Sequence, residues 1–429
     1  MKKRNFIFFS LCLAFVALAN SACVEQKPTV AIASPNVVSE NMTSTDARIQ
    51  KAQALVEKRP NVAGNYNNLV IAYIKSARET GDFSLNSKAE TALSRSLEIE
   101  PNNLNALKLK ASLHLTFHRF QDALELGTEL QKTNPNDPFI YGVLTDANVE
   151  LGNYEKAVEA AQTMVDLRPN MESYARVSHL RSLHGDSKGA IEAMSFAARI
   201  TDPLDKEARS WCLVHLGNEY LKAGKYVEAE KQYDSALEIF PNYHYGLEGK
   251  GRARAAQNDY ENAIKFLTQS QDRVPTTETV IALGDLYAKT GNAEKAKAQY
   301  DLVEFIEQKF GNTDMRRLAL LWADQDVKLD EALAIAEKEH AARKDIFTAD
   351  IYAWCLYKKG NFQDAKNIIQ EAMRLKTKDA RIFYHAGMIE KGLGNKKEAA
   401  QFLQKALQTN PSFDLLQAEN AKSALQELN

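Results

Sequence analysis

A chain of 429 residues, 45% hydrophobic and 26% charged, has room for two or three ordinary domains and enough apolar surface to bury, which excludes disordered and fibrous classes. Its 54 Lys and Arg stand against 56 Asp and Glu, a formal net charge of -2, so it carries no broad basic face of the kind that holds nucleic acid. Four cysteines in this length exclude a disulfide-rich scaffold.

In chain order, the first element is an export signal. Lys2, Lys3 and Arg4 precede an apolar run from Phe6 to Ala19, too short to span a bilayer and suited to a signal core. Two cleavage sites compete. Ala17-Leu18-Ala19 is an A-x-A cut that releases a soluble protein. Ala19-Asn20-Ser21-Ala22-Cys23 resembles a bacterial lipobox in which Cys23 becomes lipidated, although Asn20 stands where that pattern has Leu, Val or Ile. Val24 after the cysteine resembles the outer-membrane class, so the expected location is the cell envelope, outer-membrane lipoprotein or periplasmic. Residues 1–22 are therefore assigned to the signal peptide and 23–44, rich in Pro, Ser, Thr and Asn, to a flexible tether. Residues 45–60 are expected to form an opening helix.

Internal repetition governs the remainder. Pro101, Pro135, Pro169 and Pro203 fall at a constant spacing of 34 residues, Pro241 and Pro275 repeat it, and Pro411 keeps the same phase. Two intervals are longer, and their extra residues, Thr80 to Ser87 and Leu204 to Arg209, are expected in loops between helices. A small residue recurs in step at Ala89, Ala123, Ala157, Ala190, Ala229, Ala263, Ala296, Ala332, Ala365 and Ala399. Small residues at fixed offsets let two antiparallel helices approach closely, and proline ends the second of them.

Within the period, Leu213, Leu216, Gly217, Tyr220, Gly224, Ala229, Tyr233, Ala236 and Pro241 form a motif. Leu283, Gly284, Tyr287, Gly291, Ala296 and Tyr300 repeat it, as do Ala386, Gly387, Gly394, Ala399, Leu403, Ala406 and Pro411. This pattern resembles the tetratricopeptide helix-turn-helix. The resemblance implies an all-α, right-handed superhelical solenoid of about ten repeats over 61–411, closed by a capping helix over 412–429. Repeats at 171–203 and 313–344 depart from the motif at Ser178, Leu320 and Ala323.

No phosphate loop, H-E-x-x-H, G-x-S-x-G or G-x-G-x-x-G occurs, so no enzyme and no cofactor is expected. The rival is a metal-dependent factor or enzyme centred on His114 and His118, four apart on one helical face, set against a semi-buried His114 and a His118 near a helix end. Cys212 and Cys355, four repeats apart, are expected to be free apolar fillers. Glu228, Glu230 and Glu238 are expected on a solvated face.

The 3.6 period leaves one stripe of each first helix unused by intra-repeat packing. In tetratricopeptide proteins that stripe lines the inner groove. Here it holds Trp211, Asn218, Tyr245 and Arg252, and then Phe347, Asp350, Trp354, Tyr357, Arg381, Tyr384 and Met388. Aromatic residues, Met and Arg have the composition of interface anchors. The competing arrangement packs these rings against neighbouring first helices. The expected function is a non-catalytic scaffold or assembly factor of the bacterial envelope that binds a protein or peptide partner in the concave groove. Nucleic acid is not expected as a partner, and membrane contact is expected only through a lipid anchor; a structural spacer without a ligand is the remaining alternative.

Overall fold

The computed structural model describes residues 45–310 and 315–428; the signal, Cys23 and the tether lie outside them. The described residues form twenty-two helices and no strand. Helix α1 (Thr45–Lys58) leads, and ten pairs follow. The first five are α2 (Ala63–Thr80) with α3 (Ser84–Ile99), α4 (Leu104–Thr116) with α5 (Phe120–Thr133), α6 (Pro138–Glu150) with α7 (Tyr154–Leu167), α8 (Met171–Leu183) with α9 (Ser187–Ile200), and α10 (Lys206–Lys222) with α11 (Tyr226–Ile239). Next come α12 (His244–Ala256) with α13 (Tyr260–Arg273), α14 (Thr277–Lys289) with α15 (Ala293–Phe310), and α16 (Arg316–Asp324) with α17 (Leu329–Ala342). The last pairs are α18 (Ile346–Lys358) with α19 (Phe362–Ala372) and α20 (Ala380–Gly392) with α21 (Lys396–Thr409); α22 (Gln417–Leu428) closes the stack.

The small residues explain why each pair closes. All ten in-phase alanines of the second helices are buried. Twelve positions before them, Gly217, Gly251, Gly284 and Gly387 leave no room for a side chain: an added Cβ would lie 2.5 to 2.8 Å from Tyr233, Leu267, Tyr300 and Leu403. Backbone contact of that kind is what a side-chain-free residue permits. In the degenerate fourth repeat Ser178 takes this place and donates to the Ala190 carbonyl at 2.7 Å, a hydrogen bond that meets the hydroxyl's need inside the core. In the eighth repeat Leu320 stands there, and α16 has only nine residues where the other first helices have thirteen to eighteen.

Each corner between paired helices holds a left-handed residue, and the corner between α16 and α17 holds two, Asp326 and Lys328. Gly81, Gly152, Gly185, Gly224, Gly291, Gly360 and Gly394 have φ of 70° to 82°, and His118, Asn258 and Asp326 adopt 55° to 64° at the same point of the period. Most first helices start on a side-chain cap: Asn103, Asp137, Asn170, Asp205, Thr276, Asp345 and Asp379 each accept from a backbone N–H of the first turn. Three expectations are corrected. Of Thr80 to Ser87, expected in a loop, Thr80 ends α2 and Ser84 to Ser87 open α3, so only 81–83 connect them. Lys206 to Arg209 do not form a loop but extend α10 to seventeen residues. Glu230 is not solvated: it is buried and pairs with Arg254 at 2.5 Å.

The stack winds tightly enough for successive turns to touch. Residues 184 to 194 apart in sequence bond to one another: the Ile346 N–H donates to Tyr154 Oη (2.9 Å), Tyr226 Oη donates to Asn410 Oδ1 (2.6 Å), Asn410 Nδ2 donates to the Leu221 carbonyl (3.1 Å), and Thr377 donates to the Leu183 carbonyl. Arg343 also pairs with Glu150 across this seam. The glycine corners of the earlier turn seat the later one: a Cβ at Gly152 or Gly185 would overlap the carbonyls of Lys344 or Lys376. Nearer the start, Arg78 on α2 pairs with Glu207 on α10 at 2.5 Å, and Lys75 with Asp205 at 2.7 Å.

Candidate functional site: the axial cavity

Closure of the superhelix leaves a cavity of about 690 Å³, lined from the α4–α5 corner to the start of α22. The first helices from α6 to α20 supply most of its wall. Of the eleven groove residues expected from the sequence, Asn218, Arg252, Phe347, Asp350 and Arg381 line it. The other six do not. Trp354 and Tyr384 are 1% and 2% exposed: the Trp354 ring stacks on His385 and Tyr357, with centroids 4.2 and 4.9 Å away, and its Nε1 donates to Asp324 Oδ1 at 2.8 Å. Tyr384 donates to Gln417 Oε1 at 2.8 Å. Tyr357 and Met388 are half-buried against the same cluster. Trp211 lies on His215, with ring centroids 3.9 Å apart, and Tyr245 packs on Tyr243 and His244. Tight winding brings neighbouring first helices together over Trp354 and Tyr384, while Trp211, Tyr245, Tyr357 and Met388 stay half-buried. Residues 412–416, expected to begin the closing helix, turn inward instead, and Phe413, Asp414 and Leu415 add to the cavity wall.

The same stripe rule, applied to the seventh and eighth repeats, finds residues missed above. It gives Glu278, Ile281 and Asp285 on α14 and Arg317, Leu321 and Asp324 on α16, and all six line the cavity. The signal was present in the period; a search for aromatic anchors passed over it.

The electrostatics of this wall are set by burial. Asp285 accepts from Tyr300 Oη at 2.8 Å, yet burial and the nearby Asp414 push its carboxyl up to about 8. Asp324 is raised to about 6, again first by burial, with Arg381 opposing. Arg381 pairs with Asp414 at 3.1 Å. His179 and His215, also on the wall, are pushed down to about 3 by burial and stay neutral at physiological pH.

A testable linkage follows for Asp285. Its folded pKa lies above the unfolded value, so the native state holds a proton that the unfolded chain has lost, and stability falls as pH rises from about 4 through about 8. Asp285→Asn removes that dependence. Thermal unfolding should show a higher Tm than the parent at pH 8 and an equal one at pH 4.

The rival histidine pair takes a different form from the one expected. His114 is half-buried, with Nδ1 3.9 Å from Asp122, and its pKa is lowered by burial. His118 lies beyond the end of α4 at the left-handed corner (φ 55°), stacked near Phe120, so the two do not share a helical face. Among the described residues no three His, Cys, Asp or Glu side chains are grouped so as to hold a metal. Cys212 and Cys355 are free and buried, and burial pushes both thiols up to about 12. Among the same residues no helix is long and apolar enough to cross a membrane.

Comparison with known proteins agrees with the repeat geometry. The tetratricopeptide repeat family matches residues 210–243 and 380–413. Anaphase-promoting complex subunit 3 of Schizosaccharomyces pombe is 25% identical over 270 residues, 59% of this chain and 40% of that protein. TPR repeat-containing protein MJ1428 of Methanocaldococcus jannaschii is 22% identical over 391 residues, 84% of this chain and 66% of that protein. The chain thus spans less than two thirds of the length of either. Among solved structures, the APC/C hetero-tetramer Cut9-Hcn1 has a similar fold, with a TM-score of 0.50 at 15% identity, covering 90% of this chain and 67% of that one. This chain is built of tetratricopeptide repeats.

Proposed function

We propose that the protein is a non-catalytic interaction scaffold of the bacterial cell envelope that holds an extended segment of a partner protein inside the axial cavity. The cavity carries this reading: at about 690 Å³ it falls within the range of ligand sites, and its wall combines apolar side chains with Asn218, Arg252, Asp350 and Arg381. The match to a subunit of a multiprotein complex supports an assembly role. Export and anchoring rest on sequence: the basic start, the apolar run to Ala19 and Cys23.

A photo-crosslinking amino acid at Phe347, which lines the cavity, should capture a polypeptide in the native cell, whereas the same group at exposed Val227 on α11 should not. Capture from Val227 alone would overturn the internal site. Anchoring has its own readout: labelled fatty acid should enter the parent and not Cys23→Ala, and a mature chain starting at Asn20 would refute it.

A further inference from the structure

We propose that a second copy of this chain docks on the open edge of the superhelix, head to tail, in the register that already joins the two turns within one chain. The inference stands apart from the cavity reading above.

The seam carries it. Two unlike edges meet there: the corners within repeats on one side and the loops between repeats on the other. Gly81 of the first repeat lies against Val274 after the sixth, and Gly152 of the third against Lys344 after the eighth. Gly185 of the fourth lies against Lys376 after the ninth, and Gly224 of the fifth against Thr409 and Pro411 after the tenth. The offset is five repeats each time. The corners of the seventh, ninth and tenth repeats, Gly291, Gly360 and Gly394, have the same left-handed form, yet an added Cβ there would meet no atom of the described residues within 4 Å.

The opposite edge exposes apolar side chains where corners would sit. Phe139, Leu167 and Ile200 are exposed beside the loops after the second, third and fourth repeats. Leu204, in the last of these loops, is 89% exposed, and its N–H donates to Asp202 Oδ1 at 2.9 Å, which fixes the loop that presents it. Apolar groups gathered on one edge mark a contact surface. In the proposed register α22 of one copy and α1 of the next stand where an eleventh pair would. Ala421 on α22 keeps the phase of Gly387, and α1 ends just before Pro60 as α3 ends before Pro101. The five-repeat offset then sets the eighth, ninth and tenth corners on the loops after the second, third and fourth repeats of the next copy. All four exposed side chains are covered.

The corner edge has a receptor for one of them. A groove of about 670 Å³ between the seventh and eighth corners is lined by Ala288, Ala293, Leu321, Trp322 and Val327, and it falls opposite Phe139. Its charges neutralise one another, Lys297 with Asp301 at 2.6 Å and Lys328 with Glu304 at 2.7 Å, which leaves an apolar group as the fitting occupant. Glu419, Lys422 and Gln426 on the outward side of α22 are exposed and polar, so the end joint adds little and the edges supply the affinity. Because the two edges differ, the contact is heterologous, and chains add without closing.

The test is sedimentation velocity of the intact chain carrying Cys23→Ala, from about 1 to about 100 µM, the range of weak interfaces. The average mass should climb past that of a dimer. Phe139→Asp with Leu204→Asp spoils only the loop edge, and Val327→Asp only the corner edge; all three side chains are exposed, so helicity by circular dichroism should not change. Each variant by itself should associate at least tenfold more weakly than the parent. An equimolar mixture of the two should form heterodimers and nothing larger, since one intact contact is all that they can make. A parent that stays monomeric at the highest concentration would overturn the inference. So would a mass that levels off at a dimer, variants that associate like the parent, or a mixture that behaves like its components. Each of these results leaves the cavity reading to its own readout, the crosslink at Phe347.

Discussion

Gly152→Ala combined with Gly185→Ala is expected to unfasten the two superhelical turns. Both glycines have φ of 76°, and a side chain at either would overlap backbone of the later turn at Lys344 or Lys376. The left-handed conformation alone costs a non-glycine residue about 1–2 kcal/mol, and the overlap adds roughly 1–3 kcal/mol at each site. The seam bonds of Tyr154, Thr377 and Asn410, at about 1 kcal/mol each, cannot absorb that. Small-angle scattering should therefore report a larger radius of gyration, and crosslinking through Phe347 should fall. The control is built into the repeat: Gly360 and Gly394 have φ of 82° and 80° with nothing within 4 Å of an added Cβ. Alanine at those two should lower Tm modestly and leave the radius unchanged. Equal expansion from both pairs would show that the corners act only through local strain.

Arg176→Leu should produce the largest single loss of stability. Arg176 on α8 donates from Nε to Asp146 Oδ1 at 2.9 Å and from Nη2 to Oδ2 at 2.5 Å, and the side chains are 7% and 0% exposed. Removing one partner of a buried pair strands the other charge, at a cost of about 3–5 kcal/mol. Asp146→Leu together with Arg176→Leu should recover most of that, because the desolvation penalty disappears along with the attraction. The check is the urea midpoint of the parent, Arg176→Leu and the double variant. A double variant no more stable than Arg176→Leu alone would mean that packing around α6 and α8, not charge, sets the cost.

Legibility differed from residue to residue. Gly217 and Ala229 could be read as a close helix contact because steric exclusion acts at a fixed offset, and the structure has Tyr233 lying where a side chain on Gly217 would go. His118 was also legible in retrospect: it falls in phase with Gly152 and Gly185, so it is a corner residue whose φ of 55° takes it off the helix. Trp354 could not be assigned from its position. It stands at the point of the period where Asn218 and Asp285 face the cavity, and only the proximity of α16 and α20, which places Asp324 and His385 against its ring, shows that it is covered.

The sequence by itself determined the paired helices, their corners and the phase of the inward stripe, because those depend on backbone sterics and side-chain size within one repeat. Whether the stack closes on itself was decided only in three dimensions. Small rotations between successive repeats add up over the chain, and contacts nearly two hundred residues apart fix their sum. That closure buries the aromatic rings between neighbours and draws Asp414 in from the far end. It also leaves Asp285, Asp324 and Asp350 facing a common interior, an arrangement no local pattern encodes.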